Sequence, residues 1–266
     1  MAEWREMSNR IQDFLRLRTL PLGFKFLEKA EDLGKIERVR RPEQPLALCQ
    51  VVGISRHLGW TMGVTIDNLS MPECILKLGF APRFGPFLDG TSVTGIWTKD
   101  QKDGAKYSQT LPHLPAGKYK ALVISPLGAE RIDPDIALIF GNSAQMCLLM
   151  NALQWEDYER LQFFFSGEGS CADTFAECYH SGKPQLTVPC LGERLQGSVQ
   201  EDELEIAIPA GKIRKAVDGL DAMRAARSIS YPIPYYGLQL STAALMARTY
   251  PGLQEALALI KEKARK

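Results

Sequence analysis

The chain has 266 residues, with 32 Lys plus Arg against 31 Asp plus Glu, and 45% of its residues are hydrophobic. That ordinary apolar content and near-zero net charge exclude whole-chain disorder, and they argue against nucleic acid as a main partner, which wants a basic surplus. No apolar run approaches the ~20 residues of a transmembrane helix, and the charged start MAEWREMSNRIQ has no apolar h-region, so a cytoplasmic protein without a membrane partner is expected.

In chain order, residues 1–18 predict an amphipathic helix, with Trp4, Met7, Ile11, Phe14 and Leu15 at helical spacing. Pro21 opens a short apolar run, Leu22 to Leu27, that reads as a buried strand with Lys25 as its single charge. Cys49 to Leu58 reads as a helix stopped by Gly59, and Thr61 to Ile66 as a strand. Cys74 with Leu76 to Leu78 suggests a short helix ending at Gly79. Residues 82–118 are rich in Gly, Pro and Thr and lack periodicity, so a linker, lid or binding loop is expected there. Pro134 to Phe140 predicts a strand, Ser143 to Ala152 a helix and Leu161 to Phe165 another strand. A tight turn at Gly167 to Ser170 leads into a helix from Cys171 to Tyr179, with Gly182 as its stop. Gln185 to Val188 and Leu204 to Ile208 read as strands. Pro209 introduces a long helix to Ala226, and a last helix runs from Pro251 to the end. This order favours a single α/β or α+β domain, a mixed sheet with flanking helices.

Two stretches share one pattern of Cys, helix, Gly, strand, Cys. The first runs from Cys49 past Gly59 and TMGVTI to Cys74, the second from Cys171 past Gly182 and QLTV to Cys190. LGFKFLE and PDIALIF stand upstream of them as a matching pair. The expectation is of half-repeats over 19–80 and 132–208, joined by 82–118 and followed by C-terminal helices over 209–266. Such a repeat places four cysteines as two related pairs about a pseudo-two-fold axis; low identity between the stretches leaves coincidence as the competing explanation. Two-fold related helices also leave a homodimer open.

Six cysteines without an export signal read first as reduced thiols or metal ligands. Four thiolates suit an iron–sulfur cluster or, as the lesser option, a zinc ion. No CxxC occurs, so a site forms only if the fold gathers distant segments. Cys147, within QMCLLM, and Cys178 are expected to pack as small hydrophobes, whereas Cys49, Cys74, Cys171 and Cys190 lie at element boundaries. Cys171 follows GEGS at an expected helix N-terminus and would suit a thiolate nucleophile, with only His57, His113 and His180 as candidate bases. The same GEGSCA fits G-x-G-x-x-A between a strand and a helix. There Gly167 and Gly169 would admit a pyrophosphate, and Glu193 would fall where an acid holds a ribose. Lys25 and Arg194 are charges beside apolar elements. They are candidates for clamping an anionic substrate, against a plainer role in snorkelling or ion pairing. GxxxxGK[ST], HExxH and GxSxG are all missing from the sequence.

Several blocks together resemble the uncharacterised bacterial and archaeal family known as domain of unknown function 169. They are PLGFKFLE, ALCQVVGISR, MPECILKLG, KYKALVISPLG and DPDIALIFGNSAQMCLLMNAL, then GEGSCADTF, SGKPQLTVPCLGER and EDELEIAIP, over about residues 15–215. The first block usually reads PVAVKF in the family, so Leu22-Gly23-Phe24 departs from it while Lys25 and Phe26 match. The resemblance implies no activity, but it puts Cys49, Cys74, Cys171 and Cys190 in the family's motif blocks and gives Cys147 and Cys178 less weight. The leading expectation is therefore a cytoplasmic protein in which those four cysteines hold an iron–sulfur cluster, four-iron before others. It would serve electron transfer with a partner, or act as a Lewis acid on a small substrate held by Lys25, Arg194 and the 82–118 segment. The alternatives are a metal-free small-molecule or nucleotide binder using the Gly167–Ser170 turn, and a thiol enzyme using Cys171.

Overall fold

Strand β1 (Leu22–Leu27) alternates its side chains across a sheet, with Leu22, Phe24 and Phe26 on one face and Gly23, Lys25 and Leu27 on the other. The computed structural model describes residues 2–227, 229–235 and 252–265. Around β1 it sets β2 (Met62–Thr65), β3 (Ala121–Pro126), β4 (Ile136–Asn142), β5 (Gln185–Thr187) and β6 (Glu203–Pro209), in the order β2-β3-β1-β4-β6-β5. Neighbours pair antiparallel throughout, in registers such as Phe24↔Ile124, Phe24↔Ile136 and Leu138↔Ala207. Of the two architectures left open by the sequence, this pairing selects α+β.

The order reads the same from either edge when β1, β2 and β3 are exchanged for β4, β5 and β6. The first three strands and the last three thus form two triplets that meet along β1 and β4. The 82–118 segment sits between α3 (Pro72–Lys77) and β3. β3 itself has no counterpart among the expected strands. All six of its residues are buried, so ALVISP carries none of the alternation that marks a half-exposed strand.

Both sheet faces are covered. One carries Phe24, Met62, Leu122, Ile124 and Leu138 against α2 (Leu48–Leu58), and Phe24 meets Phe175 at a 5.6 Å ring separation. The other is covered by α1 (Ala2–Leu15), α6 (Ser143–Leu153) and α9 (Ile213–Arg227), whose Ile11, Phe14, Leu149, Val217 and Leu220 pack on Ile139, Ile206 and Ile208. Arg10 of α1 is paired with Asp218 and Asp221 of α9. A smaller cluster of Leu33, Ala121, Val123 and Ile132 closes the face beneath β3.

Four expectations need correction. The 82–118 segment contains α4 (Pro86–Asp89) and α5 (Gln101–Thr110), not bare loop. α5 is capped by Asp100, whose carboxylate accepts the Asp103 N–H at 3.0 Å. Only Gly104 and Ser108 of α5 are buried, so it lacks an apolar stripe to announce it. Leu161 to Phe165 forms no strand; the sheet takes up no residue of this run, and Phe164 and Phe165 are exposed. The helix after Cys171 opens as a π-helical turn, Ala172–Ala176, before α7 (Glu177–Ser181) stops at Gly182 with φ +62°. Cys147 is exposed, since α6 turns Met146, Leu148 and Leu149 to the core and Cys147 away from it; Cys178 is buried as expected. A further helix covers Leu253–Lys263, and the start expected for it at Pro251 lies outside the described residues. No helix among the described residues is long and apolar enough to cross a membrane.

Candidate functional site

On the Phe24 face a cavity of about 670 Å³, counting its open mouth, is lined by Cys49, Cys74, Cys171 and Cys190. Its floor is Phe24, Leu138 and Phe175, with Leu48 and Val52 on one wall, and its polar groups are Lys77, Glu73, Glu168, Ser170, Glu193, Gln196 and Glu205. A largely apolar pocket with a few convergent polar groups has the character of a ligand site.

Each cysteine is placed by the start of a helical element. Cys49 lies in the first turn of α2, where Gln50 reaches back to accept the Ala47 N–H at 2.8 Å. α2 approaches the end of α8 (Leu191–Gln196) closely. A Cβ on Gly53 would stand 3.0 Å from the Gly197 carbonyl, and one on Gly197 3.0 Å from the Cys49 carbonyl. This contact brings the Cys49 thiol 3.5 Å from the Gly192 carbonyl and 3.6 Å from Gln196 Oε1. Cys190 stands at the N-cap of the same α8. Cys74 lies in the first turn of α3, begun by Pro72. Cys171 precedes the π-helical turn and stands beside the Cys74 thiol. The GEGS turn is tied down by Asp173, whose carboxylate accepts the Ser166 N–H and hydroxyl at 2.7 Å. Two thiols thus come from the β1–β3 half and two from the β4–β6 half.

The surroundings set the protonation of these groups. Burial pushes the Cys49 thiol up to about 12, with the Glu193 charge adding to it. Burial and Glu193 likewise raise Cys190. Within the Cys74–Cys171 pair the mutual hydrogen bond lowers Cys74 and raises Cys171, so Cys74 ionises first. Burial raises Glu193, and burial together with Glu193 holds Glu205 well above the usual carboxylate range. Glu193 accepts the Ser170 hydroxyl at 2.8 Å. Burial works against charge on Lys77, but Cys171, Glu168, Tyr107 and Cys74 together outweigh it and keep the ammonium ionised.

The other predicted residues lie apart from the cavity lining. Lys25 is on the opposite sheet face, ion-paired with Asp135 at 2.7 Å. Arg194 donates to the Pro189 and Gln200 carbonyls at 3.2 and 2.8 Å, pinning the loops around α8. Gly167 has φ +78°, and the Gly169 N–H is taken by the Ser166 hydroxyl at 2.8 Å. No strand precedes this turn and the sheet has no parallel pair, so the context of a dinucleotide fold is missing among the described residues. The residues that sequence reasoning missed are Lys77, Glu73, Glu168 and Glu205. A usable signal existed for Glu205: ELEIAIP alternates acids into positions that a strand covered on both faces must bury. From the 82–118 segment, Tyr107 reaches the site by donating its hydroxyl to Glu168. Among the described residues no three His, Cys, Asp or Glu side chains converge on one point as a single ion requires.

The family model described as uncharacterised ArCR, DUF169, matches residues 10–219. The uncharacterized protein MJ0308 of Methanocaldococcus jannaschii is 28% identical over 225 residues, covering 84% of this chain and 95% of that protein. No solved structure matches.

Proposed function

The chain belongs to the uncharacterised DUF169 family, and from that premise we propose that it is an iron–sulfur protein whose ligands are Cys49, Cys74, Cys171 and Cys190. The observation that carries this is the meeting of four thiols, scattered in sequence, on the wall of one cavity. Soft thiolates suit iron–sulfur centres. A tetrahedral zinc ion is the lesser option, since no three of the described His, Cys, Asp or Glu side chains converge on one point. Four thiolates on a four-iron centre leave no iron open, which favours one-electron transfer over Lewis-acid chemistry. Such a centre would supply a low-potential electron to a redox partner or small molecule at the cavity mouth.

The test is anaerobic purification of the full chain with iron and sulfide analysis. About four irons and four sulfides per chain, with absorption near 400 nm, are expected, and Cys→Ser at any of the four positions should lower both contents. A colourless, iron-free protein after anaerobic reconstitution overturns the reading. The apolar floor of the cavity favours a second reading, a metal-free pocket for a small molecule. That reading expects Cys49→Ser and Cys190→Ser to leave the fold intact and the iron content at zero throughout.

A further inference from the structure

Lys77 closes α3 one turn beyond Cys74 and is only 2% exposed. Its side chain lines the thiol cavity, and the charges of Glu168, Glu73 and Asp173 act on it there. Glu168 also accepts the Tyr107 hydroxyl. An ammonium held in a largely apolar cavity is costly, and the cost falls as more negative charge is brought within reach. Cys171 and Cys74 would add to the carboxylate charge around it as metal-bound thiolates.

We infer that Lys77 is the counter-charge of the centre held by the four cysteines, a positioning residue whose charge, in the cavity that Cys74 and Cys171 also line, stabilises the reduced state. The inference rests on the iron–sulfur reading above. A centre bound there would gain one negative charge on taking up one electron from an external donor. No bond forms or breaks and no proton moves, because the ammonium is already in place. Net charge near the sulfurs is one lever by which a protein sets the potential of such a cluster, and Lys77 supplies it.

The experiment is an anaerobic redox titration of the full chain with dithionite, followed by the electron paramagnetic resonance signal of the reduced centre, for wild type, Lys77→Met and Lys77→Arg. Lys77→Met should disfavour the reduced form at least tenfold, a midpoint about 59 mV lower for a one-electron couple, while Lys77→Arg stays close to wild type. Lys77→Met with full iron content and an unchanged midpoint overturns the inference, as does an equal shift in both variants. Should Lys77→Met fail to hold iron where Lys77→Arg holds it, the requirement for charge is upheld; failure of both variants assigns Lys77 to shape alone and overturns it. An iron-free wild type defeats the parent reading before any variant is compared, so the two failures are distinct.

Discussion

Arg56→Met is expected to destabilise the fold by about 3–5 kcal/mol, the range for breaking a buried ion pair on one side. The Arg56 side chain is fully buried and donates to Glu203 Oε2 at 2.7 Å and to His57 Nε2 at 3.1 Å, with its guanidinium 4.0 Å above the Phe140 ring. Removing it strands the Glu203 carboxylate, 3% exposed, with the Gln200 N–H at 2.8 Å as its remaining donor. The double variant Arg56→Met, Glu203→Leu should recover most of the loss, because no charge is then left buried. Urea midpoints for both variants check this, and a double variant no better than the single one would refute the charge explanation. His57 adds a pH dependence. Burial, and then the Arg56 charge, hold its pKa below the ordinary value. A depressed histidine contributes stability that is present above its unfolded pKa of ~6.5 and is lost as pH falls through the folded value. Wild type should therefore weaken on mild acidification by more than Arg56→Met does.

Gly219→Ala is the second large effect. Gly219 sits where α9 crosses α6, and a Cβ there would lie 2.1 Å from the Ala152 carbonyl oxygen and 2.7 Å from its carbon. These are backbone atoms, so relief requires the helices to separate. Ala in a helix interior gains up to ~1 kcal/mol over Gly, but overpacking costs ~1–3 kcal/mol or more. A net loss of roughly 2 kcal/mol is expected, seen as a lowered Tm. Gly34→Ala, where nothing lies within 4 Å, serves as the near-neutral control. An unchanged Tm for Gly219→Ala would mean that α6 and α9 do not pack as described.

What could be read from the chain divides along physical lines. Helices with a glycine stop, such as α2 at Gly59, and strands between breakers, such as β1, announce themselves locally. The four cysteines stood out because each lies at an element boundary, where an apolar packing role is least natural. β3 was hidden because a strand covered on both faces loses its alternation. α5 was hidden because a nearly all-exposed helix held by a cap and a Gly104–Gly90 contact has no stripe. Lys77 reads in sequence as an ordinary surface lysine of a short helix, and only the packing of Cys171 and Tyr107 around it reveals otherwise. Lys25, the more conspicuous charge, satisfied the same search and lies on the wrong face, since strand alternation separates it from Phe24 by one residue and the whole thickness of the sheet.

The pairing of α1 with α9 carries a consequence for how the chain is made. Arg10 and its partner Asp218 are 208 residues apart. At ~5–20 residues per second the ribosome needs about 10–40 s to travel that distance. Throughout that interval Met7, Ile11, Phe14 and Leu15 have no α9 to lie against. α1, made well before α9, thus lacks this shelter until α9 has emerged.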